Sequence, residues 1–208
     1  MAIETEIKLA LPAGRADAAR RFFATLTGED GDVITLANVY YDTPELALAR
    51  SKSAVRVRRT PHGWLQTFKT VGSAQDGLHS RHEWELPVAG DALEIDALVA
   101  ACDVPDAAAA LRDAAPALHA LFRTDFSRTL WRIAIGGATV EAAVDVGEIV
   151  VQTENDTRRE PISEIELELI DGPEAALATL AAELQQALPG LAPENISKAQ
   201  RGYRLRAQ

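Results

Sequence analysis

The opening segment Ile3-Glu4-Thr5-Glu6-Ile7-Lys8-Leu9 puts Glu4, Glu6 and Lys8 on one phase of an alternation and Ile3, Ile7 and Leu9 on the other. Successive strand side chains point to opposite faces, so this spacing predicts a strand over residues 1–11 with one ionic and one apolar face. Gly14 to Leu26 carries Phe22, Phe23 and Leu26 at helical spacing and predicts an amphipathic helix. A strand is expected within Asp30 to Asp42, ending at Tyr40-Tyr41-Asp42-Thr43-Pro44, where Pro44 marks a turn. Leu46 to Lys52 reads as a short turn or helix. Strands follow over Ala54–Arg59, Trp64–Thr70 and Ser80–Pro87, with Pro61-His62-Gly63 as the hairpin turn between the first two.

Residues 91–121 change character: they are rich in Ala and Leu and predict helices interrupted near Pro105 and Pro116. Strands resume over Phe122–Ile135, Thr139–Val146 and Glu148–Thr153, with Gly136-Gly137 as a hairpin turn. Asn155–Arg159 reads as a polar turn and Ile162–Ile170 as another strand. Pro173–Leu188 predicts a helix with proline in its first turn. The tail Ala192–Arg206 holds the basic segment Ser197-Lys198-Ala199-Gln200-Arg201-Gly202-Tyr203. Two strand-rich halves flank a helical insert, which suggests one pseudo-symmetric β domain over residues 1–208.

The ionic rows recur. Glu164, Glu166 and Glu168 alternate with Ile165, Leu167 and Leu169, and Arg56 and Arg58 alternate with Val55 and Val57. Arg81, Glu83 and Glu85 alternate with His82, Trp84 and Leu86. Arg128 and Arg132 alternate with Trp131 and Ile133, and Glu141 and Asp145 share a face opposite Val140, Ala142 and Val144. Any one such strand is compatible with a solvated face of an antiparallel sheet. The set is not, because each strand also has an apolar face that needs cover. Stacked like charges are costly unless cations neutralise them. Closing the sheet into a barrel gathers the ionic faces into one lumen and turns the apolar faces outward under helices. The predicted class is therefore α+β, a closed antiparallel barrel with a charged lumen. Such a lumen suits a polyanion held by Arg and Lys, with divalent metal held by clustered carboxylates.

Bulk properties narrow the field. The chain has 208 residues, 47% hydrophobic and 25% charged, ordinary for a globular protein. The net charge of −10 argues against a nucleic-acid or anionic-membrane partner, while a cleft can still concentrate cations for a small polyanion. No apolar run reaches membrane-spanning length, and no signal peptide is read. Cys102 is the single cysteine, expected as a buried thiol, so the cytoplasm is the expected compartment. The glycines of Gly72-Ser73-Ala74-Gln75-Asp76-Gly77 are followed by Leu78-His79 rather than Lys-Ser/Thr, so no phosphate loop is read there. His79 and His82 lack ligand company, no Gly-x-Ser-x-Gly element occurs, and Tyr40 and Tyr41 read as barrel packing. Oligomeric state, monomer or homodimer, is left open.

The Glu4-x-Glu6-x-Lys8 opening resembles the defining motif of the CYTH superfamily, the triphosphate tunnel metalloenzymes. The likeness continues through Tyr40-Tyr41-Asp42-Thr43, Arg56-x-Arg58, Phe68-Lys69 and Gly77-Leu78-His79-x-Arg81-x-Glu83. It extends over Thr124-Asp125-Phe126-x-Arg128, Asp145-x-Gly147-Glu148, Glu164-x-Glu166-x-Glu168 and Ser197-Lys198-Ala199-x-Arg201-Gly202-Tyr203. Bacterial members with inorganic triphosphatase activity are the most similar in kind. The resemblance implies an eight-stranded tunnel that binds linear triphosphate with Mg²⁺ or Mn²⁺ and hydrolyses it to pyrophosphate and phosphate. It implies metal ligation by Glu4, Glu6, Asp145, Glu164, Glu166 and Glu168, in a two-metal site. It assigns substrate binding to Lys8, Arg56, Arg58, Lys69, Arg81, Arg128, Lys198 and Arg201, with Lys8, Glu4 and Glu6 catalytic. Glu141 and Glu148 are expected as further lumen or supporting residues. Many relatives carry a C-terminal helical CHAD domain; none is read within these 208 residues, either naturally or because they are part of a longer protein. A class IV adenylyl cyclase, a thiamine or nucleoside triphosphatase and a non-catalytic polyphosphate-binding module are the alternatives on the same fold.

Overall fold

Eight antiparallel strands close into a barrel whose ionic faces point inward, in a computed structural model that describes residues 2–70 and 72–208. In chain order the elements are β1 (Ala2–Ala10), α1 (Ala16–Thr27), β2 (Asp32–Asp42), α2 (Ala47–Arg50), β3 (Ser53–Thr60), β4 (Gly63–Thr70) and β5 (Ser73–Gln75). There follow β6 (Leu78–Val88), α3 (Ile95–Ala101), α4 (Pro105–Ala114), a 3-10 turn (Ala115–Ala117), β7 (His119–Ile135), β8 (Ala138–Gln152) and β9 (Thr157–Asp171). The chain finishes with α5 (Ala175–Ala187), β10 (Ala192–Pro193) and α6 (Lys198–Ala207). The barrel order is β1-β9-β8-β7-β2-β3-β4-β6, and β6 pairs back onto β1. The short β5 continues the edge of β4 along β6, and β10 takes the place beside β1 that β6 vacates. Met1, within the expected first strand, lies outside the described residues.

Register brings the ionic rows together. Glu6 is opposite Glu168, which is opposite Glu141; Lys8 is opposite Glu166; Glu4 is opposite Arg81. Arg128 is opposite Asp145, which is opposite Glu164, and Lys69 is opposite Glu83. Directly paired residues share a face, so these side chains all turn into one bore.

The outer faces are covered in two places. Ile7, Leu9, Trp131, Ile133, Val140, Val144, Ile165 and Leu167 pack under Phe23 of α1 and Leu177, Leu180 and Leu184 of α5. Val55, Phe68 and Trp84 pack under Leu48 of α2, Leu98 of α3 and Leu111 of α4. Each large side chain buried this way stabilises the fold by about 1.5–3 kcal/mol. A third cluster faces inward: Leu36, Tyr40, Phe122, Phe126, Ile149 and Ile162 meet Leu205, Ala199 and Tyr203 of α6. Helix α6 thus closes against one end of the bore.

Several boundaries differ from the sequence reading. Strand β8 runs unbroken through Gly147, where the sequence suggested two segments. At Gly147 a Cβ would lie 2.1 Å from the Asp125 carbonyl oxygen, so glycine here serves the close approach of β7 and β8 rather than a turn. The polar turn is tighter than Asn155–Arg159: Thr153 and Asp156 bond each other across it, and β9 starts at Thr157. Strand β7 begins at His119, within the expected helical insert, and pairs with β2 across a bulge at Tyr40/Tyr41. The basic tail is a helix, started by a capping box in which the Ser197 hydroxyl accepts from Gln200 N while Gln200 Oε1 accepts from Ser197 N. Cys102 is buried as expected. The Gly72–Gly77 stretch forms β5 and the turn at Asp76-Gly77. No helix of the described residues is long and apolar enough to cross a membrane.

Candidate active site in the barrel lumen

The bore encloses a cavity of about 940 Å³. Glu4, Glu6, Lys8, Arg56, Arg58, Lys69, Arg81, Arg128, Glu166, Glu168 and Lys198 all line it, as do Glu83, Glu85 and Glu141. These residues come from β1, β3, β4, β6, β7, β8, β9 and α6, so only closure of the barrel assembles them.

Three remaining expected site residues do not line the cavity. Asp145 and Glu164 are fully buried, and Lys198 Nζ reaches past the lining to Asp145 Oδ2 at 2.7 Å and to Glu164 Oε1. Arg201 Nε donates to Glu160 Oε1 at 2.7 Å and Nη1 to Glu164 Oε2 at 3.1 Å, and its Nη2 donates to the Pro161 carbonyl. Arg201 therefore braces Glu164 and does not reach the cavity. Arg132 is exposed at the far end of its strand, and Glu148 pairs with Arg159 on the outer surface, so neither contributes to the lumen.

Two ionic clusters organise the wall. In the first, Arg128 holds Asp145 through both oxygens, Nε to Oδ1 at 2.8 Å and Nη2 to Oδ2 at 2.7 Å, and also donates to Glu166. Lys8 Nζ sits 2.8 Å from Glu166 Oε1, 3.5 Å from Glu6 and 3.6 Å from Glu164. Burial alone would neutralise these groups, yet the paired charges outweigh it. Asp145 and Glu166 are held below the usual carboxylate range by Arg128 and Lys198, with Lys8 adding to Glu166, and Lys8 and Lys198 are held above the usual amine range. In the second cluster, Glu4 accepts from Lys69 at 2.9 Å and from Arg81 Nε at 2.6 Å, while Arg81 Nη2 reaches Glu6 at 2.8 Å and Lys69 reaches Glu83 at 2.6 Å. Burial pushes Glu4 upward, and Lys69 and Arg81 more than offset it.

Asp145, Glu164 and Glu166 bring ligand oxygens within 4.8 Å of one another, which is a metal-sized acidic cluster. Lys198 and Arg128 already occupy it. Glu168 is different. Its carboxyl is pushed up to about 8, first by burial and then by Glu4, with Glu6 and Glu83 adding. It stands between Glu6 and Glu141 in register, a row of like charges across three strands. A carboxyl raised by burial and by neighbouring carboxylates is an oxygen donor of the kind a hard divalent cation takes.

Glu168 gives the stability of the fold a pH dependence of its own. The folded chain holds this proton more tightly than the unfolded chain, whose carboxyl titrates near 4.5. Stability should therefore fall as pH rises from about 4.5 to about 8, and level off above that. Thermal midpoints across that range, without divalent ions, should slope downward in the parent protein and be flatter in Glu168→Gln; parallel slopes would refute it.

Sequence reasoning missed Asn38 and Thr67, the neutral partners of Arg58 and Arg56, and read Tyr40 only as packing. All three share the inward phase of their strands, which is the signal that could have found them.

A closed antiparallel barrel with an ionic bore and helices over its apolar skin defines a tunnel-type barrel protein, whose chemistry sits inside the sheet. The chain belongs to the CYTH family, whose domain matches residues 2–203. It is 31% identical to an inorganic triphosphatase of Haemophilus influenzae over 209 residues, covering 97% of this chain and 54% of that protein. The chain thus spans about half the length of that curated relative. Among solved structures, a proposed adenylyl cyclase from Hippeastrum with a dominant triphosphatase activity superposes with a TM-score of 0.62 at 18% identity, covering 97% of this chain and 95% of that one. A proposed adenylate cyclase from Bacillus halodurans gives 0.59 at 20% identity, covering 97% and 98%. These two likenesses establish the fold.

Proposed function

We propose that the chain hydrolyses inorganic triphosphate, tripolyphosphate, to pyrophosphate and phosphate inside the bore, with a divalent metal. The observation that carries this reading is the convergence of Lys8, Arg56, Arg58, Arg128 and Lys198 on one cavity that also holds the crowded Glu6–Glu168–Glu141 row. Phosphoryl transfer asks a protein mainly for positioning and charge stabilisation, and this lumen offers both. Glu4, Glu6 and Glu168 are the residues we assign to Mg²⁺ or Mn²⁺, with Glu166, Asp145 and Glu164 available to a second ion only if Lys198 and Arg128 release them. Bound metal would neutralise phosphate oxygens and lower the pKa of an attacking water.

The chain's own side chains do the remainder. Arg56 and Arg58 are held by neutral groups and keep their charge for phosphate oxygens. Arg58 is lowered to about 10 by burial, then by Arg56 and Arg128, so a bound anion would relieve strain among these cations. Lys69 and Arg81 are freed for phosphate once Glu4 is shared with a cation. Lys8, held charged, stands beside Glu6 and Glu166, where it neutralises charge on the departing phosphate.

The lining favours an unadorned polyphosphate. Among the described residues its aromatic rings are Tyr40 and Tyr203: Tyr40 stacks on Phe122, and Tyr203 meets Phe122 edge-on and bonds Asp42. The partner in this reading is a small polyanion, not nucleic acid or a membrane, and the compartment is the cytoplasm.

The test compares phosphate release from tripolyphosphate, ATP and thiamine triphosphate, each with Mg²⁺ and Mn²⁺. Tripolyphosphate should be turned over fastest. Cyclic AMP from ATP would replace this reading with a cyclase, and tripolyphosphate binding without turnover of any of the three would replace it with a binding module.

A further inference from the structure

We infer that the Tyr40 hydroxyl donates a hydrogen bond to a phosphate oxygen of the bound chain, beside Arg56 and Arg58, and so belongs to the anion-binding machinery. This rests on the triphosphate reading above and names a contact which that reading does not require.

Tyr40 lies on β2 in phase with Asn38, facing the bore, and its residue lines the cavity. The ring is locked in place. It stacks on Phe122 with centroids 4.7 Å apart and planes 17° apart, and Phe122 in turn meets Tyr203 of α6 edge-on at 5.3 Å. Stacking accounts for an aromatic residue there, and phenylalanine would stack equally well. The hydroxyl needs a separate explanation.

A phenol offers one proton and accepts through its oxygen. The Tyr40 oxygen accepts from Arg56 Nη1 at 3.3 Å. Its own proton reaches no acceptor among the described residues, although Tyr40 is only 4% exposed. Tyr203 shows the contrast: its hydroxyl donates to Asp42 Oδ2 at 3.0 Å and is satisfied within the protein. A buried donor left unmade is costly, so such a donor in a cavity wall points to a ligand that completes it.

The surroundings say what kind of ligand. The charged groups acting on the phenol are Arg56, Arg58 and Lys198, all cations. Burial raises its pKa and these three outweigh burial, leaving it below the ordinary value. An acceptor entering this field is favoured when it is anionic. The two arginines are also available. Arg58 Nε donates to Asn38 Oδ1 at 2.7 Å and Arg56 Nε to Thr67 Oγ1 at 3.3 Å, both uncharged partners, and the carboxylate beside Arg56, Glu85, is 3.8 Å away. Arg81, Lys69, Arg128 and Lys198 are instead tied closely to carboxylates. Tyr40, Arg56 and Arg58 thus form a cup whose charge is held in place and offset only in part, by Glu85 at 3.8 Å from Arg56. A hydrogen bond to a charged group contributes about 1.5–3 kcal/mol, which corresponds to roughly 10–100-fold in affinity.

The test uses Tyr40→Phe, which keeps the ring, and the imido-bridged analogue of tripolyphosphate with Mg²⁺, measured by calorimetry. The parent protein should bind the analogue, and Tyr40→Phe should bind roughly 10–100-fold more weakly at an unchanged ligand-free melting temperature. With tripolyphosphate itself KM should rise while kcat changes little. As a check that needs no change at Tyr40, 3-fluorotyrosine labelling gives one ¹⁹F signal for each of the three tyrosines. The Tyr40 signal, assigned by elimination with Tyr41→Phe and Tyr203→Phe, should shift on saturation with the analogue. Binding by Tyr40→Phe within twofold of the parent, or an unmoved signal, overturns this inference alone. A parent protein that does not bind the analogue overturns the triphosphate reading itself.

Discussion

Asp145→Asn is expected to destabilise the protein by about 3–5 kcal/mol, the cost of removing one partner from a buried ion pair. Asp145 is wholly buried on β8, and its two oxygens take the fork of Arg128 while Oδ2 also takes Lys198. The amide keeps the shape and loses the charge, so two buried cations lose a counterion. Arg128 keeps Glu166, and Lys198 keeps Glu164 and Glu166, which moves the expectation toward the lower end of that range. The pH dependence has a definite sign. Asp145 is held below its ordinary value of 3.8, so its contribution is present above that pH and lost as pH falls through the folded value. Urea unfolding at neutral and acidic pH measures both features. A loss below about 1 kcal/mol at neutral pH would mean that this cluster is hydrated and is not the dry pair described.

Chelation of divalent ions is expected to lower tripolyphosphate hydrolysis by at least about 10³-fold, with recovery on adding Mg²⁺ or Mn²⁺. Metal-ion stabilisation of phosphoryl transfer amounts to several kcal/mol, and each 1.36 kcal/mol is tenfold in rate. The fold should survive chelation, because Asp145, Glu164 and Glu166 carry their own Lys and Arg partners. Glu168→Gln separates chemistry from stability. It removes a carboxyl crowded by Glu4 and Glu6, so activity should fall while the metal-free protein becomes more stable at pH 8. Glu166→Gln is a poorer choice, since Glu166 holds Lys8, Lys198 and Arg128 at once. Full activity in chelator would remove the metal from the reading altogether.

Much of this architecture is legible in the chain because strand geometry is local. Glu4, Glu6 and Lys8 must share a face whatever surrounds them, and so must Arg56 with Arg58 and Glu164 with Glu166 and Glu168. The helices were legible where a wide apolar stripe runs along them, as in α1 and α5, and missed in α6. Its Ser197-x-x-Gln200 box was present, but the basic composition masked it. The break expected at Gly147 failed for a long-range reason. A glycine that terminates a strand and one that lets two strands approach look alike until the facing Asp125 carbonyl is in view.

The sequence by itself determined which side chains share a strand face and that those faces are ionic. It therefore determined that the sheet had to close on itself. Tertiary structure alone decided which ions meet. Placing Glu168 between Glu6 and Glu141 depends on register with β8, its hairpin neighbour, and with β1 at the other end of the chain, and a one-residue slip would reverse every face. Tertiary structure also decided which carboxylates are already answered by Lys198 and Arg128 and which still lack a counterion, because burial and charge pairing arise only when distant strands and the closing helix share one low-dielectric interior.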